Sequence, residues 1–539
     1  LEDLKRLAVE SLDNVQFMPQ RGKQRLTSFI KNRNEWCISR QRSWGVPIPY
    51  FQHKEKPDSI LMDSETISLA IENIKKWGLD SWFLDEDVAH EKTNIKNWLP
   101  PKYQHLAQEY RKGKDTMDVW FDSGSSCTTL VDFYHDKLNI SYEGMPKPLA
   151  DMYLEGSDQH RGWFQSSLLG KVASNEKAQA PYGAVITHGF TLDEKGIKMS
   201  KSIGNTIAPV DVIEGNKKLS LPALGVDGLR YLIAQSDFTS DITAGPTIMQ
   251  HTSDALKKIR LCFKFLLGNL YAEGDTKFLP IGQLASIDKY TISKVQQLLD
   301  ESKKNYTDFN FSKVLSNLQY HLNNELSALY FDISKDTLYS NSINSLRRRQ
   351  IQTTLYKILE AYSAILYPII PIMVHEVYNF LPSKLVQTGY NPASLDTKTW
   401  PSYSADIADE ADIVRSFEQI DLKILSTYKN IFKNMSNETI TKPGQTTVKL
   451  YVTEDLPITK DSLVEILQVA DAEIIKIDEL DSSDIAEEHP VKILELNASL
   501  AVAESNLYKC PRCWKHNSPD IDSLCGRCEH EIDTSKGAF

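Results

Sequence analysis

The chain has 539 residues, 41% hydrophobic and 25% charged, with a net charge of −11. That balance belongs to an ordinary globular protein and excludes collagen, a continuous coiled coil and global disorder. At about 100–200 residues per domain, the length allows roughly three to five domains. No apolar run reaches the ~18–20 residues needed to cross a bilayer. Seven cysteines are too few for a disulfide scaffold. The acidity gathers in one late stretch, 471–488, read as a solvated face. The net charge is therefore poor evidence against a nucleic-acid partner, and the mildly basic 251–400 block is free to face RNA.

The chain begins at Leu1 without an initiator Met. It reads as a fragment or a processed product. Leu4, Leu7, Ala8 and Leu12 take the spacing of an amphipathic helix, and the acidic residues around them do not suit a targeting peptide. WCISRQRSWGVPIPY (36–50) mixes a strand-like run with Pro and Gly punctuation, and polar, irregular sequence follows to about residue 115. ADMYL (150–154) predicts a short buried strand. A helix follows, with Ser157 or Asp158 as N-cap and Trp163, Phe164, Leu168 and Leu169 as its apolar face. AVIT (184–187) predicts a second strand. Strand, helix, strand at this spacing is a βαβ unit of a parallel sheet. Ligands of such sheets bind at the carboxyl ends of the strands, where the loops after Leu154 and Thr187 lie.

From about 247 to 400 the periodicity is helical. Ile292, Val295, Leu298 and Leu299 share one face, as do Leu346, Leu355, Ile358, Tyr362 and Leu366. The Pro- and Gly-containing segment 382–401 ends this block. A helix near 411–433, a strand at 446–453 on Val448, Leu450 and Val452, and another at 492–503 make a small α+β module.

Cys510, Cys513, Cys525 and Cys528 carry the strongest chemical signal. Two C-x2-C knuckles separated by eleven residues suit one tetrahedral Zn²⁺ with a closed shell, hence a structural ion; two redox pairs are the alternative. Bound metal would supply much of the folding energy of so short a tail. Arg512, Trp514, Lys515, His516 and Arg527 around it suit RNA contact and equally suit a plain surface with Trp514 as its core. Lys198 and Lys201, in KMSKS between Gly196 and Gly204, can close over a polyphosphate, although most such loops are merely solvated. Glu155, Asp158, His160 and Arg161 crowd the turn after the first strand. They fit a binding turn for ribose or amino groups, and capping explains them equally well. His188 opens the loop after the second strand. Trp120 and Trp163 either line an apolar pocket or belong to the core.

Taken together, ISRQRSWGVPIP (38–49), DVWFDSGSS (118–126), LEGSDQHRGWFQSSLL (154–169), HGFTLDEKGIKMSKSIGN (188–205), LSALYFDISKDTLY (326–339) and CPRCW…CGRC (510–528) resemble, in this order, the C-terminal two-thirds of isoleucyl-tRNA synthetase of the bacterial and organellar type. The resemblance covers essentially the whole chain. It implies an α/β fold: the second half of a class I Rossmann-type catalytic domain, then an all-α helical bundle, a small α+β module and a zinc knuckle. The implied boundaries are 1–35 for the exit from an editing insertion, 36–245 for the catalytic half with the KMSKS loop, 246–405 for an anticodon-binding bundle, 406–505 for an α+β tRNA-contacting module and 506–539 for the zinc tail.

The resemblance implies ATP-dependent activation of isoleucine to isoleucyl-adenylate and transfer to tRNA(Ile), with Mg²⁺ accompanying ATP and one structural Zn²⁺. Lys198 and Lys201 would be catalytic, holding the phosphates and stabilising departing pyrophosphate, with Lys201 in direct contact with ATP. Glu155, Gly156, Asp158, Gln159 and His188 would hold ATP and the adenylate. Trp120 and Trp163 would wall the isoleucine pocket. The HIGH-type motif and the editing insertion are missing from the sequence, which predicts that this chain alone is inactive. The longer stretch 206–229 resembles the organellar form and points to the mitochondrial matrix over a bacterial cytoplasm. A monomer without membrane association is implied. The competing readings are a valyl- or leucyl-tRNA synthetase and a non-catalytic tRNA-binding paralogue.

Overall fold

The computed structural model of the chain describes residues 2–141, 144–145, 147–175, 178–270, 278–382, 399–436, 439–480 and 491–536. It divides into two compact units, residues 1–192 with 238–242, and residues 193–237 with 243–539. No helix among the described residues is long and apolar enough to cross a membrane.

The first unit is built on a three-stranded parallel sheet. Tyr182–His188 lies in the middle, between Gln16–Met18 and Ala150–Gly156. The predicted βαβ unit is present, with Trp163–Asn175 as its crossover helix. Both strands run longer than the residues that predicted them. Phe17, Val185 and Tyr153 share one face in register and pack with Phe164 and Leu168, all buried. The amphipathic N-terminal helix, Glu2–Ser11, buries Ala8 against this core, with Leu4 and Leu7 half-buried.

Neither Ser157 nor Asp158 caps the crossover helix. A 3-10 turn, Ser157–Arg161, intervenes, and the Gln159 side chain accepts from Trp163 N at 3.1 Å. The region to residue 115, expected to be irregular, holds a helix, Ser64–Trp77. It also holds a small antiparallel sheet of Ile60–Leu61, Phe51–His53 and Tyr110–Lys112. Its core is aromatic: Trp82 meets Phe51 at 5.4 Å and Trp98 at 5.3 Å. Such a core has no simple period, so the sequence pattern does not reveal it.

The second unit is mainly helical. Pro246–Leu270, Ser286–Thr307 and Leu346–Leu366 surround one large apolar core. Phe311–Tyr320 continues through a π-helical stretch, His321–Tyr330, into Phe331–Ser340. Ile292, Val295, Leu298 and Leu299 are buried as expected, but Leu346 is 63% exposed because it opens its helix outside the packed face. The α+β module is a four-stranded sheet in the order Asp471–Lys476, Thr446–Val452, Ala498–Glu504, Val491–Ile493. The expected single strand at 492–503 is two antiparallel strands, separated by a turn with Asn497 at φ 46°. The start of the acidic stretch is a sheet strand whose Glu473 is exposed and Asp471 half-buried, so it is ordered backbone with a largely solvated acidic face. Residues 481–490 and 383–398 lie outside the described residues.

A buried charge cluster ties the bundle to this module. Arg347 binds Asp288 and Glu465, and Tyr330 Oη donates to Asp288 at 2.7 Å. Asp288 is fully buried. Removing one member of such a cluster leaves an uncompensated buried charge. Asp288→Ala is therefore expected to destabilise the second unit by about 3 kcal/mol, read by chemical denaturation.

Candidate functional site

In the first unit, the predicted adenylate residues gather at the carboxyl ends of two parallel strands. Gly156 pairs in register with His188, and Glu155 with Thr187. The Asp158 carboxylate folds back over Gly156: a Cβ there would stand 2.5 Å from its Oδ1 and 3.7 Å from His188 Cε1. Gly156, Asp158 and His188 therefore form one cluster, and only a glycine leaves room for it. Gln159 bridges the cluster and the crossover helix: its Nε2 donates to Asp158 Oδ2 at 3.5 Å, and its Oε1 accepts from Trp163 N.

The two tryptophans flank the same turn. Asp118 caps the short helix Val119–Ser125 by accepting from Trp120 N, and also accepts from Trp36 Nε1 and Arg40 Nη2. Burial opposes its charge, yet these hydrogen bonds hold the carboxyl below its usual range. Trp163 stacks on Tyr153 at 4.0 Å and donates to Ser123 O at 2.8 Å. Trp120 is 41% exposed and lies against Gly162, where a Cβ would stand 3.0 Å from its ring. Gly162 was not singled out in the sequence, because its role appears only once the indole is placed.

Lys198 and Lys201 belong to the second unit, on an exposed loop that is hydrogen-bonded to itself. Asp193 accepts from Lys195 N, Ile197 N and Asn205 Nδ2, and Asn205 Oδ1 accepts from Ser200 N. The Asn205 bond leads the causes that lower the Asp193 pKa. Gly196 and Gly204 stand at φ 75° and 76°, the left-handed region that favours glycine. Asp193 and Asn205 are positioning residues that spacing alone did not expose. Asp193→Ala is expected to loosen this loop, seen as faster amide exchange over 195–204 with the sheet of the first unit unchanged.

The cysteines form a separate centre. The Sγ atoms of Cys510, Cys513, Cys525 and Cys528 lie within 4.8 Å of one another. Cys513 and Cys525 are 3.8 Å apart, the edge of a tetrahedron with metal–sulfur bonds of about 2.3 Å. Against burial, backbone N–H groups of Cys513, Cys525 and Arg512 bring Cys510 down to about 6. Four sulfurs in one cluster fit a closed zinc shell.

The basic residues around this centre are largely engaged within the protein. Arg527 grips Asp336 with two bonds of 2.7 Å, Lys515 reaches the same carboxylate at 3.4 Å and is buried, and Arg512 donates to Ser340 O. Arg527 and Lys515 therefore serve docking onto the helix Phe331–Ser340 rather than an RNA surface. Trp514 stays 66% exposed and is not a core residue. Cys528→Ser is expected to abolish the stoichiometric zinc measured by atomic absorption and to unfold the tail, while the bundle keeps its helical signal.

A family model described as "tRNA synthetases class I (I, L, M and V)" matches residues 1–244, and one described as "Anticodon-binding domain of tRNA ligase" matches residues 288–442. The chain is 52% identical to "Isoleucine--tRNA ligase, mitochondrial" of Saccharomyces cerevisiae, over 99% of this chain and 52% of that protein. It is 36% identical to the protein of the same description from Schizosaccharomyces pombe, over 98% of this chain and 53% of that one. It is 35% identical to "Isoleucine--tRNA ligase" of Prochlorococcus marinus, over 99% and 54%. The chain thus spans about half the length of these relatives.

Proposed function

The chain belongs to the class I aminoacyl-tRNA synthetases, among the isoleucine–tRNA ligases of organellar and bacterial type, and we propose that it works as the C-terminal part of such a ligase. The observation that carries this reading is the cluster of Gly156, Asp158 and His188 at the carboxyl ends of two parallel strands. The reaction is ATP-dependent activation of isoleucine, then transfer to tRNA(Ile). The isoleucine carboxylate attacks the α-phosphorus, and the bond to pyrophosphate breaks. A ribose hydroxyl of the tRNA then attacks the acyl carbon, and AMP leaves.

Each residue has a part consistent with its chemistry. Asp158, with Glu155 and Gln159, holds polar groups of the adenylate, and Gly156 lets the nucleotide approach the backbone. His188 contacts the nucleotide beside them. Trp120 and Trp163 wall the isoleucine side chain. Lys198 and Lys201 offset the negative charge that develops on pyrophosphate, which needs positioning and charge rather than a covalent enzyme intermediate. ATP brings Mg²⁺, and the four cysteines hold one Zn²⁺. The bundle and the α+β module bear on the tRNA, within the boundaries 246–405 and 406–505. The mitochondrial relatives support the mitochondrial matrix as the place of action, and a monomer is the expected state.

An open sheet edge supports a split catalytic fold. Among the described residues, Ala150–Gly156 pairs on one side alone, and its Met152 and Leu154 are 40% and 54% exposed. Further strands, carrying the HIGH-type motif, would complete the sheet along this edge. ATP–pyrophosphate exchange tests the reading. The chain alone is expected to give none. Joined to the N-terminal half of the yeast relative, it should exchange with isoleucine in preference to valine and leucine, and lose about 100-fold or more in Lys201→Ala. Exchange by the chain alone overturns the split, and a preference for valine or leucine overturns the substrate.

A further inference from the structure

Beside the adenylate turn, the first unit has a half-open cavity of about 410 Å³ whose walls include Arg21, Arg25, Ser157, His160, Thr187 and Asp241. None of the residues proposed to hold the adenylate lines it; their chain neighbours do. Strand side chains alternate in direction, so Thr187 is buried on the cavity side while His188 is exposed on the other. The cavity is therefore distinct from the cluster of Gly156, Asp158 and His188.

Two independent features mark it as a binding site. The helix Arg21–Lys31 begins at its wall, with no side chain capping the first turn and no acid within it; Gly22 N and Lys23 N donate to Pro19 O and Gln20 O, so what this end offers an anion is its dipole and its arginines. Arg21 and Arg25 stand one turn apart there. Arg21 donates to Thr239 O at 2.7 Å, and Arg25 lies 6.0 Å over the Phe29 ring. The second feature is His160, only 1% exposed. Its Nδ1 lies 2.7 Å from Ser157 O, a pure acceptor, so Nδ1 carries the proton. Its Nε2 is buried without a hydrogen-bond partner. Burial, reinforced by Arg25 and opposed by the Ser157 bond, lowers the imidazole pKa. Burial thus favours the neutral ring, whose Nε2 presents a lone pair. A buried acceptor left unpaired is costly, and it asks for a ligand donor. Gly22 keeps this nitrogen reachable, since a Cβ there would stand 2.9 Å from it.

We propose that this cavity is a ribose-phosphate subsite, in which Arg21 and Arg25 take a phosphate and a ribose hydroxyl donates to His160 Nε2. Arginine forks suit phosphate oxygens, and the hydroxyl supplies the donor that phosphate lacks. A free nucleotide and an RNA strand share this chemistry. The assignment stands independently of the aminoacylation reading.

Equilibrium binding to the full 539-residue chain tests it, with AMP, 2′,3′-dideoxy-AMP, an RNA trinucleotide and the DNA trinucleotide of the same sequence as probes. AMP or the RNA is expected to bind, and its deoxy counterpart to bind more weakly. Arg25→Ala, an exposed change that leaves the core intact, and Gly22→Ala should each weaken binding about tenfold or more. Binding of AMP identifies a free nucleotide as the source, and binding of the RNA alone identifies a strand. Failure of both to bind at millimolar concentration overturns the proposal. So does equal binding of the deoxy probes. Binding untouched by Arg25→Ala would put the nucleotide on the Asp158 turn and overturn it as well.

Discussion

The parallel pairing of Ala150–Gly156 with Tyr182–His188 is the constraint on which the first unit depends. Parallel neighbours cannot be joined by a tight turn; the chain must cross over the sheet and return. Here the crossover is the helix Trp163–Asn175, whose Phe164 and Leu168 are buried under the sheet. The same geometry delivers both strand ends to one edge, where Gly156 meets His188 across the register. A slip of one residue would exchange the faces of Thr187 and His188. The buried core on one face therefore fixes which side chains meet a ligand on the other.

The tail obeys a different constraint. Three of its four cysteines are nearly fully buried, but they are the main apolar content of their own cluster. Such a module depends on metal for its fold. What attaches it to the bundle is electrostatic: one carboxylate, Asp336, holds both Arg527 and Lys515. Burial opposes the charge on Asp336, and the two cations hold its pKa down. Because Arg527 and Lys515 are committed to Asp336, the exposed Trp514, with Lys509 5.8 Å from its ring, is the better candidate for an outside partner.

Local signals in the sequence predicted much of this. The βαβ unit, the helical block and the metal cluster each follow from a period or a spacing that adjacent residues reveal. The misses share a physical cause. The aromatic module around Trp82 and Trp98 has no period, the hairpin within 491–504 depends on one left-handed Asn497, and Leu346 keeps the helical spacing but falls outside the packed face. At the site, residue types that make contact directly were legible, but residues that shape space or brace a loop were not. Gly162 acts through the absence of a side chain and Asp336 through partners distant in the chain, while Asp193 and Asn205 brace their own loop through bonds to each other and to backbone groups that carry no residue-type signal.

In the lysine loop such bracing would serve the proposed chemistry. A phosphate-gripping lysine needs reach, which its four-carbon stem supplies, and a fixed origin, which it does not. Asp193 and Asn205 supply that origin by tying both ends of the loop through five hydrogen bonds, while Lys198 and Lys201 remain exposed at its surface. With these bonds in place, a loop that met a polyphosphate as proposed would lose less conformational entropy on binding. In the proposed role, the attraction of the two ammonium groups to the phosphates would grow as negative charge develops on departing pyrophosphate. Interactions that strengthen only as that charge develops favour the transition state over the ground state, so a loop whose backbone is braced by its own hydrogen bonds would suit the proposed chemistry.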